Sequence, residues 1–298
     1  MITLGLPYKG SKSSIAGDIV KKLPPGGKIL DACCGGGAVL MALAMSLKYD
    51  KVVGNDLNAA TIRLLDAVLI NKGQIDYEHP SPCSRDDFFN SLQRIENGDF
   101  DIQDCVNKYC ASFGNDGKTY LYGEQIEQYK LITERMLTAP TLSERRKFYR
   151  KFFDIVTKNE DDDGRLQKLE FVQRLQSLER LERLERLDIF DIDYSEFDIV
   201  YFDIPYKGTN KYDFEFDYAR FYDLFSSLKI PAFLSEYESP FTEVAEFEKT
   251  QLMAASVGSS KSTTKEKLYF NGTKEQYRSL MGRFYEDSGF PGQVELGL

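Results

Sequence analysis

The pattern of apolar and polar positions changes character along the chain. In residues 1–72 and again in 187–298, short apolar runs of strand length alternate with stretches of helical spacing. Residues 28–31 and 51–56 read as strands, each ending on an acid, and residues 38–47 and 58–71 as the helices that follow them. An earlier helix is predicted over 15–22, with Ser11, Ser13 or Ser14 as its cap and Lys12 beside a free N-terminus that would suit an anion. The Leu-Pro-Pro-Gly-Gly run at 23–27 breaks the chain after it. Residues 197–202 are apolar at all but Asp198 and rich in β-branched and aromatic types, as a central strand covered on both faces requires. That strand runs straight into Asp203-Ile204-Pro205-Tyr206, and Pro205 must take the chain out of the sheet. Beyond it, residues 207–210 read as a loop, 217–228 as a helix capped by Asp217, 232–237 as a strand, 257–266 as a mobile polar loop and 268–270 as a last short strand.

Between residues 73 and 186 the alternation stops. Asn115-Asp116-Gly117, flanked by aromatics, signals a hairpin or tight turn. Leu166, Leu169, Val172, Leu175, Leu178, Leu181, Leu184 and Leu187 recur every three residues, and three Leu-Glu-Arg copies end the run. A three-residue period spirals around an α-helix rather than holding one face, so a surface helix is expected there and not a coiled coil; a partner-binding role stays open. The pattern as a whole predicts an α/β fold: a catalytic sheet domain from 1–72 and 187–298, interrupted by a mainly helical inserted domain, 73–186.

Composition narrows the function. With 298 residues and 42% hydrophobic content the chain can bury a substantial core. A formal net charge of −9 argues against a protein that simply coats nucleic acid or an anionic membrane, though not against a local basic groove. Residues 1–10 lack a signal-peptide pattern, and the apolar run at 38–45 is too short to span a bilayer. Five cysteines at spacings that fit neither zinc nor a disulfide framework, and the single histidine His79, point to reduced thiols and no metal.

Three acids and a glycine turn carry the candidate chemistry. Asp31, Asp56 and Asp203 each close a predicted strand; if those strands are parallel, the three carboxylates line one sheet edge. One such acid is an ordinary strand terminator, but three beside Ala32-Cys33-Cys34-Gly35-Gly36-Gly37 mark a site. Gly35 and Gly37 allow close approach of a ligand, while a third fingerprint glycine for a dinucleotide is missing, which weighs against a dehydrogenase. Arg145, Arg146, Lys147, Arg150 and Lys151 form a basic patch that on a helix suits phosphate contacts or, equally, a solvated face.

These blocks, in this order, resemble the Dam-like DNA adenine N6-methyltransferases. Tyr8-Lys-Gly-Ser-Lys12 is similar to that family's N-terminal cofactor block, Asp31 to Gly37 to its glycine loop, and Asp203-Ile-Pro-Tyr206 to its Asp-Pro-Pro-Tyr tetrad. Ser112-Phe-Gly-Asn-Asp-Gly-Lys118 resembles its target-recognition segment. Two departures stand out: Ile204 replaces the first tetrad proline and Cys33 the usual aromatic residue before the glycines. The resemblance implies a Rossmann-like S-adenosylmethionine-dependent methyltransferase sheet and a DNA target-recognition domain in the insert. It implies that Asp203, Ile204, Pro205 and Tyr206 are catalytic, and that Tyr8, Lys12, Asp31, Cys33, Gly35, Gly37, Asp56, Asp193, Tyr194 and Asp203 serve the cofactor. Ser112, Asn115, Lys118, Arg145, Arg146, Lys147 and Arg150 are then the expected DNA contacts. The implied partners are double-stranded DNA and S-adenosylmethionine, with a cognate restriction nuclease as a further candidate, no metal and no membrane, in a bacterial or phage cytoplasmic setting. The rivals are an N4-cytosine or other amino-methyltransferase, which commonly differ at the position of Asp203, and an inactive DNA-binding relative.

Overall fold

The structure is a computed structural model that describes residues 4–75, 81–155, 180–206, 216–252 and 261–287. The chain forms two compact units, one of Met1–Gly5, Ser11–Ala59 and Leu178–Leu298, the other of Leu6–Gly10 and Ala60–Ser177.

The first unit is built on a seven-stranded sheet. Its strands are β1 (Gly26–Asp31), β2 (Tyr49–Asn55), β3 (Leu181–Glu185), β4 (Ile199–Phe202), β5 (Ala232–Glu236), β6 (Thr242–Leu252) and β7 (Lys261–Phe270), in the order β3-β2-β1-β4-β5-β7-β6. The first five run parallel, and β7 is antiparallel to both its neighbours. The strand order reverses between β1 and β4. The crevice at the carboxyl ends of those two strands is where an open α/β sheet binds ligands.

Alternation along the strands sorts the core into two faces. Leu30, Val200, Phe202 and Leu234 join one cluster with Phe221 and Phe225 of the helix Tyr218–Ser227. Ile29, Val52 and Phe233 lie on the other face, where Tyr277 of the last helix, Lys274–Asp287, meets Phe233 and Phe270. All four residues of β4 are buried, as the reading of 197–202 as a central strand requires.

Several local expectations are corrected. The first helix is Ala16–Lys22, and no serine caps it. The turn is closed instead by the Lys12 carbonyl, which accepts from the N–H groups of Ile15 and Ala16, while Ser13 Oγ accepts from Leu4 N. Residues 261–266, read as a loop, belong to β7, a long antiparallel strand paired with β6. Residues 257–260, the loop at 207–210 and the leucine positions 166–178 lie outside the described residues.

The Leu-Glu-Arg repeat gives a strand, not a helix, over Leu181–Glu185. Leu181 opposes Val52 and Leu184 opposes Gly54, with a register shift at Glu182. Val52 and Gly54 lie two residues apart, hence on one face, so the shift lets a three-residue leucine spacing serve a two-residue strand period. A Cβ on Gly54 would come within 2.8 Å of both Leu184 and Leu40, so the glycine makes room for that leucine. Asn55, fully buried, then grips the chain after the strand: its amide oxygen accepts from Leu187 N at 2.8 Å and its amide nitrogen donates to Leu187 O at 3.0 Å.

In the second unit the described elements are mainly helical: most of Ala59–Leu69, then Arg85–Glu96, Ile102–Cys110, Glu124–Thr138 and Leu142–Ile155. Ser84 and Asp101 begin two of these helices with reciprocal capping boxes. Cys83, Phe88, Ala111, Tyr120 and Tyr122 form a small core beside them.

Candidate active site

The parallel register brings Asp31, Asp56 and Asp203 to one edge of the sheet. Asp31 ends β1, Asp56 follows β2 directly and Asp203 follows β4 directly. The glycine turn between β1 and the helix Ala38–Met45 sits at the same edge. Gly35 and Gly37 have φ of 47° and 79°, a backbone that favours glycine. Gly35 N donates to Asp56 Oδ2 at 2.9 Å and Asn58 N to Asp56 Oδ1 at 2.8 Å, so Asp56 braces the turn. Gly5 packs under it: a Cβ there would lie 2.6 Å from the Gly36 carbonyl oxygen.

Asp31 is the most exceptional group. It is fully buried, and neither carboxylate oxygen makes a hydrogen bond of normal geometry among the described residues. Burial, reinforced by Asp203 and Asp56, raises its pKa well above the ordinary carboxylate range. A buried acid in this condition is either protonated or waiting for a cation. The sign of the pH dependence follows. The folded protein holds this proton above pH 4, where the unfolded chain has released it, so stability falls as pH rises through that window. We predict that Asp31→Asn flattens the decline, measured by denaturant melts from pH 4 upward; a decline as steep as in the parent would count against a raised pKa.

Around Asp203 lies a buried ion cluster. Lys12, only 4% exposed, reaches Asp203 Oδ1 at 2.8 Å and Glu266 Oε1 at 3.2 Å. Burial opposes its charge, but the two carboxylates outweigh that and raise its pKa. The Tyr206 hydroxyl donates to Glu266 Oε1 at 2.8 Å, and Lys12 Nζ lies 4.6 Å from the centre of the Tyr206 ring. Tyr237 meets that ring edge-on at 4.6 Å, and the Tyr218 hydroxyl holds the Pro205 carbonyl at 2.9 Å. Lys12 thus serves carboxylates, not the anion expected of it from its place before a helix. Asp203 and Glu266 share the one lysine, and Asp31 and Asp56 both feel the charge of Asp203, so negative charge predominates and the site suits a cationic ligand.

A family model for D12 class N6 adenine-specific DNA methyltransferases matches residues 8–269. The chain belongs to that family. A search of curated proteins finds no match. Membership implies a DNA substrate and the use of S-adenosylmethionine. Among the described residues no three His, Cys, Asp or Glu side chains are placed so that they could hold a metal ion, and no helix there is long and apolar enough to cross a membrane.

In the methyltransferase the two departures from the family pattern have a local account. Ile204 is 1% exposed and packs into the core cluster with Phe202 and Phe221, so it fills apolar space where a proline is usual. Cys33 borders the same cluster, and burial keeps its thiol neutral by raising its pKa. Tyr8 belongs to the second unit, where its ring stacks with Tyr109 at 6.1 Å.

Asp193 and Tyr194 are not brought together as a ligand pair. The Asp193 carboxylate is exposed and caps a short turn through Ser195 N and Ser195 Oγ. Tyr194 lies in the core against Phe202, and its hydroxyl donates to the Ile189 carbonyl at 2.6 Å. The residues that follow the carboxyl end of β3 are instead Asp188, whose carboxylate accepts from Phe190 N, and Phe190, whose ring lies 3.9 Å from the Arg220 guanidinium. Their spacing after the repeat would have flagged them had the repeat been read as a strand.

The expected DNA contacts fall in two places in the second unit. Ser112 pairs with Tyr120 across an antiparallel bridge that closes the predicted turn. Ser112 itself is fully buried: its hydroxyl accepts from Gly117 N at 2.7 Å and donates to Asp116 Oδ1, so it builds the loop instead of facing a ligand. Asp116 further accepts from Lys118 N and Thr119 N, and these hydrogen bonds hold its carboxyl below the usual range despite partial burial. Gly114 and Asn115 are left-handed, with φ of 59° and 57°. They present Phe113, 54% exposed, and the exposed Lys118. Phe113 was not anticipated; a large apolar residue at the tip of a braced turn was the signal. Arg145, Arg146, Lys147 and Arg150 are all exposed on the helix Leu142–Ile155.

Proposed function

We propose that this chain is a site-specific DNA adenine N6-methyltransferase that acts on an adenine flipped out of double-stranded DNA, with S-adenosylmethionine as donor. The observation that carries the reading is the set of carboxylates at the β1/β4 switch point: Asp203 directly after a buried strand, with the unpartnered Asp31 beside it. A buried carboxylate without a hydrogen bond fits the ammonium of the donor's amino-acid end, and Asp56 fits a ribose hydroxyl pair. Asp188 and Phe190, after β3, would meet the donor's adenine in place of Asp193 and Tyr194.

When bound, S-adenosylmethionine supplies a methyl group activated by its sulfonium. The protein's part is to make the adenine amine a competent nucleophile. Asp203 and the Ile204 carbonyl accept the two N6 hydrogens and draw the nitrogen toward tetrahedral geometry, its lone pair aimed at the methyl carbon. With the donor bound, its sulfonium would release the methyl group to the amine nitrogen and keep the electron pair, and Asp203 would accept the proton that the amine then loses. Lys12 occupies Oδ1 of Asp203, which leaves Oδ2 for the amine. Tyr206 stacks on the flipped base. Phe113 wedges into the duplex, while Asn115, Lys118 and the basic helix engage base edges and phosphates.

The test is incubation with methyl-labelled S-adenosylmethionine and unmethylated DNA, followed by digestion to nucleosides. Label in N6-methyladenine is the expected result. Label in N4-methylcytosine would move the substrate to the other exocyclic amine, and no label in any base would favour an inactive relative.

A further inference from the structure

Glu266 lies in the stretch that reads as a loop from the sequence, yet it is among the most buried charges of the described residues, 1% exposed on β7. It pairs across the sheet with Phe247. A carboxylate in that position costs far more to bury than the apolar side chains beside it, unless a cation and a donor satisfy it. Here Lys12 and the Tyr206 hydroxyl converge on the same atom, Oε1, at 3.2 and 2.8 Å.

We propose that Glu266 is a positioning residue of the methyl-transfer site: it anchors the Tyr206 ring through its hydroxyl, and shares Lys12 with Asp203 so that the Asp203 carboxylate stays oriented toward the target amine. This rests on the methyltransferase reading above. Lys12 is held between two carboxylates, so its ammonium is located by both and given wholly to neither. Without the Glu266 charge, Lys12 would bind Asp203 alone and compete with the amine for its lone pairs. Tyr206, which also needs a fixed plane to receive a base, would lose the hydrogen bond that holds its hydroxyl end. Glu266 need not touch the reacting atoms; it acts through Lys12 and Tyr206.

The experiment compares the full-length parent with Glu266→Gln and Glu266→Asp. The carboxamide of Glu266→Gln still accepts from Tyr206 but no longer neutralises Lys12. The expected result is a kcat lower by about 10²-fold, the scale of losing one oriented polar group at a reacting centre. KM for DNA and the calorimetric Kd for S-adenosylmethionine should stay within about threefold of the parent, as for a loss felt only in the transition state. Glu266→Asp, which restores the charge on a shorter arm, should recover part of the rate. Parental kcat in Glu266→Gln would overturn the proposal. So would equal losses in both variants that follow a fallen melting temperature or a weakened cofactor Kd, because those mark structural support alone. The parent is assayed first: a parent that methylates no DNA removes the methyltransferase reading, and the role of Glu266 with it.

Discussion

Asp203→Ala is expected to lower kcat by about 10³-fold while the affinity for S-adenosylmethionine changes little, because it removes an acceptor that matters most as the amine becomes tetrahedral. The local structure explains why the fold should tolerate it. Asp203 sits at a strand end with its side chain 22% exposed, and it is one of two carboxylates on Lys12. Its loss leaves the lysine paired with Glu266, so no buried cation is orphaned. Single-turnover methylation at saturating cofactor, beside a calorimetric titration of the cofactor, separates the two effects. Methyl transfer at the parental rate would remove Asp203 from the chemistry. Loss of cofactor binding in parallel with the rate would assign it to the donor instead of the acceptor.

Replacing Arg145, Arg146, Lys147 and Arg150 together by alanine should weaken DNA binding at every sequence alike and flatten its salt dependence. Each phosphate contact contributes about 0.9 to the slope of log affinity against log salt, so four lost contacts predict a slope smaller by about 3 to 4. All four side chains are exposed, and Arg145 reaches the Ala139 carbonyl at 3.4 Å. The substitution should therefore leave stability and cofactor affinity near the parent values. Fluorescence anisotropy over a salt series is the measurement, and an unchanged slope would mean that this helix does not face DNA. A further contrast comes from Phe113: its loss should leave the slope alone and lower affinity, since a wedge contributes no counterion release.

Strand β4 and the turn that follows it were legible because they use strong local signals. Apolar residues in the run at 197–202, a proline that must leave the ladder and an acid between them admit few alternatives. The same holds for β1 and the glycine turn, where positive φ at Gly35 and Gly37 has a direct compositional mark. What was not legible depends on partners far away in sequence. Glu266 reads as one more polar residue in a polar stretch, and only pairing with β5 and β6 shows that it points at Lys12, more than two hundred positions earlier. Local preference points to the serines at 11–14 as a helix cap, but the Lys12 backbone carbonyl takes that role. The resemblance implies Asp193 and Tyr194 as cofactor residues, whereas the tyrosine lies in the core and its hydroxyl holds the Ile189 carbonyl. Period misled once: three-residue spacing excludes a regular helix face and a regular strand, and a single register shift at Glu182 restores the strand.

That shift has a consequence for how the sheet finds its alignment. Leu-Glu-Arg repeated three times means that sliding the chain by one whole unit presents β2 with an identical segment, so within the repeat two alignments are degenerate in sequence. Side-chain identity on β3 cannot choose between them. The choice falls to Asn55, whose amide closes on both backbone groups of Leu187, just past the repeat. A unit gained or lost upstream would leave that clasp, and everything after it toward the active site, where it is. Asn55 is thereby the point from which the edge of the sheet is counted.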